Sequence, residues 1–315
     1  MKPKYLLNNL RKKDKEKGIT LICCFSRSVV VPIFFKALQG MNLPRKNMHL
    51  LVYDNTNNIQ LGEQLKDEVT AVSPDYLSVR LYKSNLQGRG SVAGSGNEKF
   101  SQGKLFNIWS MWKKVYNLVF TKEFFQLEDD TIAPPNAYKR LYEAFKKRPD
   151  AVLVTGISTG RTHVPWIPVR LGVHYLKMKG LKVLVRHSLN PETKGIVEVD
   201  GTGVYCFIAN KKRFIAGFEG YDPVKLNVPF FALDNVFTYN MKKNGLKLYA
   251  DFNVWVSHLQ ITPARIISFG KQQAQEQVDL WLPEYNNYAQ GIEVKTKDQK
   301  PRRYQVKTHA SSWQI

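Results

Sequence analysis

FFQLEDDTIAPP, residues 124–135, reads as a buried strand that stops at three consecutive carboxylates. Phe124 to Leu127, with Glu123 before them, form the strand; Glu128, Asp129 and Asp130 follow at its end. Adjacent carboxylates repel one another and lose hydration near a strand end, so such a cluster persists only if something positive sits in it. Side chains alternate along an extended segment, which predicts that Glu128 and Asp130 point one way and Asp129 the other. Two convergent carboxylates suit a hard divalent cation, which takes oxygen ligands and keeps positions open for phosphate oxygens. The alternative is a solvated acidic turn capping a helix that starts near Pro134 or Pro135.

Outward from this stretch, strands and helices alternate. ITLICCF (19–25) is a continuous apolar run, as expected of a strand buried on both faces. Ser26 or Ser28 is placed to cap a helix over VVVPIFFKALQGM that ends near Gly40. HLLVYDNT (49–56) is a second buried strand, closing at Asp54-Asn55, and LSVRLYK (77–83) a third. A Gly- and Ser-rich loop over 84–103 precedes an amphipathic helix, KLFNIWSMWKKVYNLV. A helix over 136–147 then leads to a fifth strand, AVLVTGIS (151–158). This order predicts a parallel, helix-covered α/β sheet. Ligands of such sheets bind at the carboxyl ends of the strands, so Asp54, the Gly-rich loop and the acidic cluster meet on one edge.

The second half changes character. Residues 161–195 carry seven Lys or Arg and one acid, with Trp166 and Tyr175 interleaved. IVEVDGTGVYCFIA reads as one strand, LDNVFTYNMKKNG (233–245) as a helix stopped by Asn244-Gly245, and LKLYADFNVWVSHLQ as an extended segment carrying His258 near its end. With 315 residues, 43% of them hydrophobic, the chain has enough material for a large core. Lys and Arg number 47 against 26 Asp and Glu, a net charge of +21 that attracts polyanions: nucleic acid, anionic headgroups or acidic glycans. No run of about 18 apolar residues predicts a membrane-spanning helix. The basic N-terminus, MKPKYLLNNLRKKDKEKG, lacks the apolar core of a secretory signal, and cytoplasmic residence is the expectation. Cys23, Cys24 and Cys206 sit in apolar runs without zinc-ligand spacing, as buried thiols do.

Four blocks in order resemble family 2-type glycosyltransferases of the GT-A fold: LVYDNTNN, QLEDDTIAPPNAYKRLYE, VEVDGTGVYCFIANKKRF and LDNVFTYNMKKNGLKLYADFNVWVSHL. The second is similar to that family's DxD motif, and the last to the block that opens on the catalytic acid pair and closes on a metal-binding histidine. The resemblance implies a Rossmann-like, mostly parallel sheet with helices on both faces and a basic acceptor-side insertion. It divides the chain into a basic leader (1–18), a nucleotide-sugar half (19–160), an acceptor-binding and catalytic half of the same domain (161–262) and a basic C-terminal extension (263–315). It implies that Asp54 contacts the nucleoside, with a strand-end cap as the alternative. Asp130 would ligate Mn²⁺ or Mg²⁺, assisted by Glu128 and Asp129 and completed by His258. Arg89 would clamp the donor phosphates, or be a solvated loop charge. Asp234 would be the general base, with Asp200 on the acceptor side as the next candidate. Glu128 stands where the motif has Asp, and Leu233 where the acid pair has Glu. One base and one metal imply direct displacement of the nucleoside diphosphate, and so inversion at the anomeric carbon.

The acceptor must be read from the basic insertion. Cations with interleaved rings suit a polyanionic strand, phosphates on Lys and Arg and bases on ring faces. Trp166, Arg170, Lys177, Lys179 and Arg186 are the candidate acceptor residues, with a core role as the alternative for Trp166. A hydroxylated base in DNA, as in phage DNA-modifying enzymes, is the favoured acceptor. One alternative is a glycan-assembly enzyme docked through the same basic face on the anionic inner membrane surface. Another is a non-catalytic nucleic-acid-binding protein of the same fold.

Overall fold

The computed structural model describes residues 4–56, 58–84, 98–158, 173–179, 183–188, 193–219, 233–261, 266–269 and 312–314. In chain order its first strands are β1 (Lys4–Asn8), β2 (Ile19–Phe25), β3 (Met48–Asp54), β4 (Ser78–Lys83), β5 (Glu123–Glu128), β6 (Thr131–Ile132) and β7 (Ala151–Ser158). They are followed by β8 (Val173–Lys179), β9 (Val183–Ser188), β10 (Ile196–Val199), β11 (Gly201–Thr202), β12 (Cys206–Asn210), β13 (Lys247–Ile261), β14 (Ile266–Phe269) and β15 (Ser312–Gln314). The helices are α1 (Val31–Gly40), α2 (Ile59–Val72), α3 (Glu98–Asn117), α4 (Ala137–Lys146), α5 (Lys211–Ala216) and α6 (Leu233–Lys243).

The main sheet runs β1-β4-β3-β2-β5-β12-β7-β13-β10, with β6 and β14 paired to the far part of β13. Strands β4, β3, β2, β5, β7 and β13 point one way; β1, β12 and β10 oppose them. Alternation along the central strands feeds two cores. Leu21, Cys23 and Phe25 join Leu50 and Val52 against α1, α2 and α4. Ile22, Leu51 and Tyr53 face the helices α3, α5 and α6. That second core is aromatic: Phe218 stacks near Phe237 at 4.5 Å and near Trp109 at 4.7 Å, and Tyr116 meets Phe214 at 4.7 Å. Each fully buried ring of this kind contributes roughly 1.5–3 kcal/mol. A rigid sheet is thereby fixed beneath the strand ends.

Three local expectations are corrected. Neither Ser26 nor Ser28 caps α1; a 3₁₀ turn over Ser28–Val30 leads into it, Val30 is its N-cap without a side-chain bond, and Pro32 sits in its first turn. Helix α3 begins at Glu98, so the Gly-rich segment ends before residue 103; residues 85–97, Arg89 among them, lie outside the described residues. IVEVDGTGVYCFIA is three strands: β10 at the sheet edge, β11, and β12 between β5 and β7. The turn at Gly203 explains the break. A Cβ there would lie 2.6 Å from the Tyr205 ring, so only glycine lets the chain fold back against itself.

Two basic segments also find places. Lys4–Asn8 of the leader forms the edge strand β1, antiparallel to β4, with Leu6 and Leu7 packed on the core. Part of the basic insertion forms the antiparallel hairpin β8–β9, in a small sheet ordered β11-β8-β9-β15.

Candidate active site

The carboxyl ends of β2, β3, β5 and β7 share one edge of the sheet. After β2 the next strand in sequence, β3, lies on one side, while β5 lies on the other. A crevice therefore opens at this reversal, between the ends of β2 and β5, where open α/β sheets take their ligands.

Residues from both walls meet in that crevice. Arg27 stands two residues beyond β2 and donates through Nη2 to Asp129 Oδ1 and to Asp130 Oδ2, each at 2.7 Å. Asp129 Oδ2 accepts from the Ser26 backbone N–H at 2.9 Å and from the Ser26 hydroxyl at 3.3 Å. Both carboxylates are buried, whereas the Arg27 side chain is 28% exposed. Burial pushes the Asp129 carboxyl up, Arg27 pulls it down and Asp130 pushes it up again, leaving it raised. Burial pulls Arg27 down, but the two carboxylates outweigh it and raise its affinity for the proton. The positive group demanded by the acidic cluster is thus supplied by the chain itself.

Strict alternation across Glu128 to Asp130 fails. Strand β5 ends at Glu128, and Asp129 and Asp130 form a turn that brings both carboxylates to one guanidinium. Glu128, half-buried, donates its backbone N–H to Tyr205 O at 2.9 Å. The Tyr205 hydroxyl donates to Gly156 O at 2.9 Å and accepts from Ser158 N at 3.1 Å, tying the ends of β5 and β7 together.

His258 pairs with Thr131 across the β6–β13 ladder, and Leu259 N–H donates to Asp130 O at 2.7 Å. The backbone thus brings His258 beside the acidic turn across 128 residues of sequence; its side chain lies outside the description. Asp234 opens α6, and its Oδ2 would lie 3.2 Å from a Cβ at Gly203. The Thr238 hydroxyl donates to Asp234 O at 3.0 Å and accepts from Thr202 N at 3.0 Å, fixing the helix start under β11.

Two other candidates carry ion pairs. Asp54 is fully buried; Oδ1 accepts from the Thr56 N–H and hydroxyl at 2.8 and 2.7 Å, and Oδ2 from Lys83 Nζ at 2.8 Å. Asp200 is gripped by Lys242 at the base of the β10–β11 turn. Lys177, Lys179 and Arg186 fall on the β8–β9 hairpin, known here as backbone only; Trp166 and Arg170 lie outside the described residues.

Sequence reading missed Arg27, Ser26, Lys83 and Tyr205. For Ser26 and Arg27 a signal was present: they follow the buried run ITLICCF directly, as Asp54-Asn55 ends the next one. The three cysteines are free, and burial pushes each thiol well above its usual range, as inert core groups require.

No family model matches the chain, and no curated protein matches it. Among solved structures it is similar to GalNAc-T7 with UDP, GalNAc and Mn2+, with a TM-score of 0.51 and 14% identity. The chain has the GT-A fold. That match covers 90% of this chain and 52% of the other, so the chain spans about half the length of that protein. A match to S. aureus TarS has a TM-score of 0.42 and 9% identity, covering 74% of this chain and 35% of that one.

Would these residues suit the cation bound in that similar structure? In kind they do: carboxylate oxygens at 128–130 and an imidazole-bearing residue paired beside them are donors for a borderline-hard divalent ion. In arrangement, Asp129 and Asp130 hold Arg27. Among the described residues, which exclude the His258 side chain, no group of three His, Cys, Asp or Glu is placed around one point.

Proposed function

We propose that this chain is a metal-dependent, inverting glycosyltransferase that moves a sugar from a nucleotide-sugar donor to a hydroxyl acceptor, a hydroxylated base in DNA. The observation that supports this most is the meeting of Asp130 with the backbone of His258 at the switch-point crevice of a GT-A sheet. Asp130, Glu128 and His258 would hold Mn²⁺ or Mg²⁺, which when bound offsets the negative charge of a departing nucleoside diphosphate. Asp234 takes the proton of the acceptor hydroxyl as its oxygen bonds to the anomeric carbon and the bond to the diphosphate breaks. Its place beside Gly203 leaves the carboxylate room to reach an incoming hydroxyl. Asp200, bound to Lys242, is the poorer base.

The acceptor assignment rests on charge: +21 overall, and seven cations against one acid over 161–195. Replacing Arg170, Lys177, Lys179 and Arg186 with Gln should weaken DNA binding and lower its log–log salt slope by about 0.9 per phosphate contact on duplex. Donor hydrolysis without acceptor should barely change. The deciding experiment sets hydroxymethylated DNA beside anionic liposomes in binding and sugar-transfer assays. Salt-sensitive DNA binding with transfer supports the proposal. Sedimentation with liposomes and no salt-sensitive DNA binding replaces it with cytoplasmic-face glycan assembly.

A further inference from the structure

The bond that closes the crevice is unusual in form. A guanidinium in a permanent ion pair engages its fork, two nitrogens on two oxygens. Arg27 makes both of its carboxylate bonds through the single atom Nη2, while its Nε is buried with no hydrogen-bond partner. One positive charge faces two carboxylates, so the buried cluster keeps a net negative charge. Asp129 is anchored independently by Ser26, so its position does not depend on Arg27 alone.

Arg27 also stands where a ligand of the crevice must enter. Its side chain is 28% exposed and springs from the segment just beyond β2, which leaves it a route outward. A divalent cation on Asp130 would take an oxygen of the same carboxylate that Nη2 now holds, and would repel the guanidinium at short range. A displaced guanidinium at the mouth of the crevice would find its next anion in the phosphates of a nucleotide, which it binds well.

We propose that Arg27 is the resident counter-ion of the acidic turn, that a divalent cation displaces it, and that it then turns to the diphosphate of the donor. Loading of metal and nucleotide are thereby coupled, since each relieves the charge left by the other's arrival. This rests on the metal and donor assignments made above.

The test is Mn²⁺ binding to the full chain, read from the paramagnetic resonance of free Mn²⁺, with and without UDP as probe. Arg27→Gln should bind Mn²⁺ alone about tenfold more tightly than wild type, the equivalent of one charged hydrogen bond no longer competing. The same variant should bind UDP in saturating Mn²⁺ about tenfold more weakly. A merely structural arginine would not move the two affinities in opposite directions. Should Arg27→Gln fail to fold, Arg27→Lys carries the comparison, with changes of roughly threefold in the same directions. Equal Mn²⁺ affinity in wild type and folded variant overturns the proposal while the metal assignment stands. Absence of Mn²⁺ binding in every protein, with UDP present, overturns both.

Discussion

Strands β3 and β5 end on the same edge of the sheet, each in a buried carboxylate closed by a cation, yet the two ends are built differently. At Asp54 both oxygens are used, by Thr56 and by Lys83, and Lys83 Nζ also donates to Asn58 O at 2.9 Å. Gly62 packs against that pair so closely that a Cβ would lie 3.0 Å from Lys83 Nζ. At Asp129 and Asp130 two carboxylates share one nitrogen of one arginine. The first end is a finished ion pair, and the second is short of positive charge. A strand-end acid marks the binding edge, but only an undercompensated one has free energy left for a ligand.

Four substitutions sharpen or break this contrast. The largest effect is expected at Asp130→Asn, which should abolish sugar transfer and Mn²⁺ binding while the melting temperature stays near wild type. Asp234→Asn should keep nucleotide-sugar binding and lower kcat by roughly 10² to 10⁴, the contribution of a positioned base. Near-normal turnover would move that role to another residue. Asp54→Asn should act on stability instead, by about 2–3 kcal/mol in denaturant unfolding, because it strands Lys83, itself partly exposed. If it raised the donor KM tenfold with stability unchanged, Asp54 would rank beside the acidic turn as a nucleoside contact.

The smallest effect lies at the opposite end of β3. His49 accepts from the Ser78 hydroxyl through Nδ1 at 2.6 Å and donates to Lys17 O through Nε2 at 2.8 Å. Burial, with Arg80 adding to it, holds its pKa below the usual 6.5, against the carbonyl bond to Lys17 that raises it. The folded state therefore resists protonation more than the unfolded one. Its contribution is complete above pH 6.5 and is lost as pH falls toward the depressed value. His49→Gln should flatten that part of the stability–pH curve and leave the binding edge untouched.

Sequence reading found what depends on composition and order. The continuous apolar runs of β2, β3, β5 and β7 announce strands buried on both faces, and their alternation with helices announces the parallel sheet. It missed β1 because edge strands tolerate charge, so Lys4–Asn8 resembled a solvated leader. It missed the split of 196–210 because the reversal at Gly203 is set by Tyr205 folding back, a contact the apolar pattern does not register. The acidic turn was legible, but its cation was not. Arg27 and Asp130 are 103 residues apart and meet only because β2 and β5 are neighbours in the sheet.

The central claim is that the undercompensated acidic turn works by taking up a divalent cation. Its most direct test is nucleotide-sugar turnover by the full chain in excess chelator, followed by back-titration with Mn²⁺ or Mg²⁺. The account predicts that turnover vanishes in chelator, returns with the metal, and does not return in Asp130→Asn. Full turnover in excess chelator would contradict it.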